Sequence, residues 1–309
     1  MKGKYTIRLE VRAESIEITV KRKYTVIIGD SAIGKSFLFK SLSDMNDEIE
    51  CDVIVNPVDT VNGFNLAIES KGQIIIVDES LGIFKDMKKY RSLLRKSDNY
   101  FIFITRRHLV HLNYSVKEIY TLCKDNNTLR LKPYYDLSKK FKIENNGVII
   151  TEDSNTGNQF YRKVFNTCIV YPRYLESCGN WKVKQIYQKL YETGVIKHKN
   201  VYIIIDSAAF GCEMHELKAV IRNNRKDVGN VIISTPEAFE QLVCAAVVGA
   251  KDDRIINTYN YCEYNIYKSW EDYFEKLALK VYKGYNKKKY DDKILEIKDG
   301  IIEALFELG

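Results

Sequence analysis

The sequence predicts an α/β protein built from two successive sheets and closed by a helical C-terminal segment, and three observations carry that prediction. Short apolar runs alternate with segments of helical spacing, the pattern of a mainly parallel sheet with crossover helices. Several of those runs, such as Tyr24-Thr25-Val26-Ile27-Ile28, show no polar alternation, as expected of strands buried on both faces. The series halts in the polar stretch Lys139 to Asn146 and restarts at Gly147. With 309 residues, 45% hydrophobic and 29% charged, the chain can bury two ordinary cores. The expected division is 1–141, 142–250, and a helical extension over 251–309 packed on the second domain.

Taken in order, Tyr5, Ile7, Leu9 and Val11, then Ile16, Ile18 and Val20, alternate as an antiparallel hairpin. The Tyr24–Ile28 strand ends at Gly29, and a helix is expected from about Lys35. Strands follow at Val53–Val55, Gln73–Val77 and Phe101–Thr105, with helical spacing between them at Ile83, Phe84, Met87, Tyr90, Leu93 and Leu94. Val116–Leu122 and Thr128–Leu131 flank the polar turn Lys124-Asp125-Asn126-Asn127 and predict a closing hairpin. The second series reads strand 148–151, helix 159–165, helix 183–190, strand 201–205, helix 213–223, strand 230–234 and helix 236–243. The tail is rich in Tyr and Lys, with helical spacing at Trp270, Tyr273, Phe274, Leu277 and Val281.

Composition excludes several classes. No stretch approaches the roughly 18 uninterrupted apolar residues of a membrane span, and Met1-Lys2-Gly3-Lys4-Tyr5 leads directly into strand-like sequence, so a cytoplasmic protein is expected. The seven cysteines (51, 123, 168, 178, 212, 244, 262) are scattered without a C-x-x-C pair, as reduced core residues would be. The four histidines form no H-x-x-x-H pattern, which removes zinc hydrolysis, and no G-x-S-x-G elbow supports serine-hydrolase chemistry. The net charge of +7 lies mostly in residues 1–141, where 24 Lys+Arg face 18 Asp+Glu, so that half is suited to meet phosphate. The run from Tyr282 to Tyr290 mixes tyrosines and lysines; a solvated helix with its tyrosines turned inward is the simpler reading than base stacking.

Gly29-Asp30-Ser31-Ala32-Ile33-Gly34-Lys35-Ser36 matches G-x-x-x-x-G-K-[ST] between a strand and a helix. Glycines permit a tight loop whose N–H groups converge on phosphate, and the helix N-terminus favours negative charge. Lys35 is expected on the β- and γ-phosphates of ATP and Ser36 on Mg²⁺. Ile74-Ile75-Ile76-Val77-Asp78-Glu79 brings two carboxylates to a strand end, Asp78 for Mg²⁺ and Glu79 for the attacking water. A sensor of the γ-phosphate is expected among Thr105, Arg106 and His108. Together, the hairpin, the loop and the Asp-Glu strand resemble the P-loop ATPase heads of the ABC/RecF/SMC-like group. Two departures stand out: only about forty residues separate Lys35 from Asp78, and no L-S-G-G-Q-like signature is present.

In the second half, Val148-Ile149-Ile150-Thr151-Glu152-Asp153 and Val201-Tyr202-Ile203-Ile204-Ile205-Asp206 each deliver acids to a strand end. Parallel neighbours can bring such acids onto one divalent cation. The order of elements over residues 147–245 resembles the Toprim domain of topoisomerases, primases and OLD-family nucleases. That resemblance implies Glu152 as general acid/base and Asp206 as the first aspartate of a D-x-D metal motif, with Mg²⁺ held by Glu152 and Asp206. Position 208 is alanine where the second aspartate is usual, and Asp153 or Glu237 are the available substitutes.

An ATPase followed by a Toprim domain is the order of OLD-family nucleases. The expected function is an ATP-binding and hydrolysing effector directed at DNA or RNA, of a kind linked to defence against phage, with Mg²⁺-dependent cleavage. The alternative is a nucleotide-gated assembly module, acting as a homo-oligomer or through a partner protein, whose second domain is catalytically inactive. A metabolic kinase has less support, because no acceptor-binding motif accompanies the loop.

Overall fold

The computed structural model describes residues 1–30, 32–137, 142–153, 155–172, 174–175, 179–180 and 182–308. The chain is α/β and separates into two compact units, residues 1–135 with 257–269, and residues 136–256 with 270–309. Among the described residues, no helix is long and apolar enough to cross a membrane. The boundary expected at Lys139–Asn146 falls partly on residues 138–141, which lie outside the described residues.

Unit 1 is built on a mixed eight-stranded sheet. Its first three strands are β1 (Tyr5–Val11), β2 (Glu14–Val20) and β3 (Tyr24–Ile28). They are followed by β4 (Val55–Val58), β5 (Ile74–Asp78) and β6 (Tyr100–Thr105), and the set closes with β7 (Ile119–Asp125) and β8 (Thr128–Pro133). The spatial order is β1-β2-β8-β7-β3-β6-β5-β4. Strands β7, β3, β6, β5 and β4 run parallel, and β1–β2 and β7–β8 are antiparallel hairpins. The β7–β8 turn places Asn126 and Asn127 at φ +45° and +64°, backbone values that asparagine tolerates better than most residues. Helices α1 (Lys35–Asp44), α2 (Val61–Glu69) and α3 (Met87–Lys96) supply the crossovers. Ile27, Ile74, Ile76, Ile102, Leu38 and Leu42 are buried in one core, and β3, β5 and β6 are mainly apolar because both faces are covered.

Three expectations shift in this unit. The strand expected at Val53–Val55 lies at Val55–Val58; β4 is the sheet edge and pairs with β5 alone, which leaves room for Pro57 without an N–H. The helical spacing from Ile83 to Leu94 resolves into a 3₁₀ turn over Ile83–Asp86 and then α3. The extension expected over 251–309 on the second domain is divided, because residues 257–269 belong to unit 1. The Gly3 N–H donates to the Tyr259 carbonyl at 2.8 Å, the Tyr264 N–H to the Met1 carbonyl at 3.3 Å, and Tyr264 packs edge-on against Tyr100. Hydrogen bonds of that kind anchor a segment whatever its place in the sequence.

Unit 2 holds a four-stranded, wholly parallel sheet of β9 (Val148–Thr151), β10 (Ile169–Pro172), β13 (Val201–Ile204) and β14 (Val231–Ser234), in the order β10-β9-β13-β14. Two short strands, β11 (Tyr174–Leu175) and β12 (Gly179–Asn180), pair separately. Helices α4 (Thr156–Val164), α5 (Val183–Glu192) and α6 (Gly211–Asn223) connect the strands. Then come α7 (Phe239–Val248), α8 (Asp253–Ile256), α9 (Trp270–Val281) and α10 (Lys298–Leu308). Strand β10 has no clear signal in the sequence: it is four residues long, and its Ile169 is exposed. The helix expected at Pro236–Val243 starts three residues later, because the Pro236 carbonyl accepts the Ser207 N–H at 2.7 Å. Of the six described cysteines, only Cys244 and Cys262 are buried, the other four being half-buried; Cys178 lies outside the described residues.

Candidate functional site

In unit 1 the sheet delivers three strand ends to one place. Strand β6 lies between β3 and β5, with Ile28 opposite Thr105 and Asp78 opposite Ile104. Residue 29 onward therefore leaves the sheet beside Arg106 and within one strand of Asp78 and Glu79. The chain then turns through Asp30, Ala32, Ile33 and Gly34 into α1; Ser31 lies outside the described residues. Ala32 and Gly34 have φ of +72° and +95°, the left-handed region where a side chain is disfavoured, and backbone strain of this kind gathers at functional loops. A Cβ on Gly29 would lie 2.1 Å from the Ile33 Cδ1, a measure of how tightly the loop folds on itself.

Lys35 is the first residue of α1 and only 9% exposed. Its Nζ donates to the carbonyls of Gly29 and, at 2.8 Å, of Asp30, so the ammonium is held under the loop at the helix N-terminus. Burial, aided by the nearby Arg106 guanidinium, holds its pKa below the ordinary lysine value; Glu79, Asp30 and Asp78 oppose the shift. Asp78 and Glu79 line the same cleft as Gly34, Lys35, Ser36 and Arg106, an opening of about 630 Å³. The Asp78 carboxylate accepts the Ser80 N–H at 3.0 Å, and the Glu79 carboxylate accepts the Arg106 N–H at 2.7 Å. The first N–H groups of α1 have no partner within the helix, and Lys35, Ser36 and Phe37 of that first turn line this cleft.

Of Thr105, Arg106 and His108, the structure brings only Arg106 to the cleft. Thr105 is buried, and its hydroxyl both donates to the Arg107 carbonyl and accepts the Arg107 N–H, a closed local turn. His108 stacks on Tyr135 and meets Tyr134 edge-on.

Unit 2 presents a second constellation at the C-terminal edge of its parallel sheet. Thr151 pairs with Ile204, so Glu152 and Asp206 leave adjacent strands side by side, and the Glu152 Oε2 accepts the Asp206 N–H at 3.0 Å. Burial pushes the Asp206 carboxyl well above the usual carboxylate range, and the charges of Glu152, Asp153 and Glu240 push the same way. The two substitutes for a second aspartate are engaged elsewhere. Asp153 accepts the N–H groups of Asn155 at 2.6 Å and Gly157 at 3.0 Å, which caps the start of α4. Glu237, 2% exposed, accepts the Ser207 hydroxyl at 3.0 Å. Among the described residues, no group of three His, Cys, Asp or Glu side chains is arranged to hold a metal ion.

Sequence reasoning missed the groups around this edge. The Tyr161 hydroxyl, on α4, is buried and finds no hydrogen-bond partner among the described residues. Burial and the charges of Asp206, Asp153 and Glu240 push its pKa well up. The hydroxyls of Ser234 and Thr235, at the end of β14, are likewise buried without a partner among the described residues. Lys287 donates to Glu271 at 2.9 Å and Glu275 at 3.0 Å and lies 3.6 Å from Glu240, while the Tyr285 hydroxyl donates to Glu240. The tyrosine–lysine run is thus in part a structural clamp on α7 and α9. Its one legible signal is an inward-facing tyrosine in a lysine-rich segment. The sequence matches no protein-family model, and no curated protein matches it.

Proposed function

We propose that unit 1 is a P-loop NTPase domain of the ABC/RecF/SMC-like type that binds Mg-ATP at Gly29 to Ser36. The observation that carries the reading is Lys35, folded under the loop at the start of α1 in the same cleft as Asp78 and Glu79. The residues suit the ligand. A buried cation and unpaired helix N–H groups meet the phosphates, and Ser36 with Asp78 offers the hydroxyl and carboxylate oxygens that Mg²⁺ prefers. Bound Mg²⁺ would neutralise charge on the β- and γ-phosphates. Glu79, fixed by the Arg106 N–H, is placed to orient or deprotonate water, and the Arg106 side chain is the group available to the γ-phosphate. Titration with a fluorescent ATP analogue and Mg²⁺ tests this: Lys35→Ala should abolish binding, and unchanged binding would sink the proposal.

For unit 2 we infer a Toprim-like domain acting on nucleic acid, with Glu152 and Asp206 as its Mg²⁺ ligands. The support is two carboxylates on neighbouring parallel strands, one of them pushed toward protonation by burial and by the charge of the other. Mg²⁺ commonly takes only one or two protein carboxylates and completes its shell with water and substrate phosphate, so a pair suffices. Glu152 would serve as general acid/base in phosphodiester cleavage. Degradation of DNA or RNA in the presence of Mg²⁺ or Mn²⁺, lost in Glu152→Ala, is the expected result. One observation favours the rival assembly-module reading: Ala208 adds no carboxylate, and Asp153 and Glu237 are committed to a helix cap and to Ser207. Absence of cleavage on every substrate, with ATP still bound, would establish that rival.

A further inference from the structure

The positive charge of unit 1 is concentrated on one helix. Residues 85–96 contain Lys85, Lys88, Lys89, Arg91, Arg95 and Lys96 against a single acid, Asp86, a net of +5 that equals the net charge of all of unit 1. All six cations are exposed, while Met87, Tyr90 and Leu94 form the buried face of α3. Among the described residues none of the six pairs with a carboxylate.

Helix stability does not account for this arrangement. Arg95 and Lys96 sit in the last turn, where cations offset the helix dipole, but Lys88 and Lys89 sit in the first turn, where the dipole disfavours them. Arg91 and Arg95 are like charges four residues apart, a spacing that destabilises a helix. A local rule broken without local compensation marks a place where the sequence serves something outside the helix. The stretch also does not end with the helix: the Arg91 guanidinium donates to the Asn113 side-chain Oδ1 at 3.5 Å, in the segment that carries exposed Arg107 and His111.

We propose that the exposed face of α3 is a docking surface for a nucleic-acid backbone. The ten residues of α3 at about 1.5 Å rise span some 15 Å, enough to follow a few successive phosphates of one strand. Lysine and arginine heads on flexible stems meet phosphate without reading bases, so recognition is independent of sequence. This deepens the proposed action on nucleic acid by naming the surface that holds it, and it does not depend on cleavage by unit 2.

The test uses the full chain and fluorescein-labelled mixed-sequence duplexes of DNA and of RNA, with binding followed by anisotropy as potassium chloride is raised. The variant is Lys88→Gln/Arg95→Gln/Lys96→Gln, and Lys283→Gln/Lys288→Gln/Lys289→Gln removes the same charge from unit 2. The α3 variant should bind about tenfold or more weakly at low salt, with a salt slope smaller by about 0.9 for each phosphate that is no longer neutralised. The unit 2 variant should bind as the wild type does, and both should keep their melting temperature and ATP binding. Equal binding by the α3 variant and the wild type would overturn the surface while leaving nucleic-acid action standing. Absence of binding by the wild type to either duplex would overturn both. Preferential capture of poly-glutamate or of phosphatidylserine vesicles would overturn the proposal in favour of an acidic protein or a membrane surface.

Discussion

The carboxylate of Glu152 accepts the backbone N–H of Asp206 at 3.0 Å, joining residues 54 positions apart in sequence at the ends of neighbouring parallel strands. This contact brings two acids together, and the raised Asp206 pKa follows from its burial there and from the charge of Glu152.

The Asp206 shift has a consequence for stability. The folded carboxyl binds its proton more tightly than the unfolded one, so its contribution favours folding in acid and is lost as pH rises from the ordinary aspartate value of 3.8 through the raised one. Above the ordinary aspartate value the buried carboxyl therefore opposes folding. Asp206→Asn is expected to raise the melting temperature by a few degrees at about pH 7, with the gain shrinking toward about pH 4. A variant that melts at or below the wild type at neutral pH would contradict this.

Lys35 gives a pH prediction from a shift in the opposite direction. Its pKa lies below the ordinary lysine value of 10.5, so the cation proposed to meet phosphate is lost at lower pH than an exposed lysine would require. ATP affinity should begin to fall below that value as pH rises. Isothermal titration across the alkaline range checks this, and a flat profile would show that bound phosphate restores the proton fully.

Gly34 tests the loop backbone. It sits at φ +95°, and a Cβ there would meet only Leu129 at 3.7 Å, an ordinary contact, so the penalty of Gly34→Ala is conformational rather than steric crowding. A destabilisation of about 1–2 kcal/mol is expected in urea unfolding, with weakened ATP binding.

Lys287 tests the clamp of unit 2. Burial by itself would lower its pKa, but Glu240, Glu271 and Glu275 raise it. Lys287→Met leaves the carboxylate of Glu240, 4% exposed, without its cation, which should destabilise the protein by about 3–5 kcal/mol. Adding Glu240→Gln should recover part of that loss, and a double variant no more stable than the single one would show that Glu240 is not the strained partner.

Much of unit 1 was readable because its signals are local. A strand apolar on both faces, a glycine-bearing loop and a helix beginning at Lys35 all lie within residues 24–44, and Asp78-Glu79 follows an unbroken apolar run. Among Thr105, Arg106 and His108, by contrast, no local rule separates the three. Thr105 turns inward to Arg107, His108 is taken up by Tyr134 and Tyr135, and only the sheet register places Arg106 beside Lys35.

The sequence by itself determined the α/β class, the hairpins, the phosphate-loop motif and the strand-end acids, because hydrophobic period and glycine placement act over a few residues. Only the tertiary structure decided which acids meet, that Asp153 caps α4 and Glu237 holds Ser207, that residues 257–269 return to unit 1, and that Lys287 balances Glu240. Those outcomes depend on charge and hydrogen-bond satisfaction between residues far apart in the chain, and buried polar groups find their partners in space rather than by sequence distance.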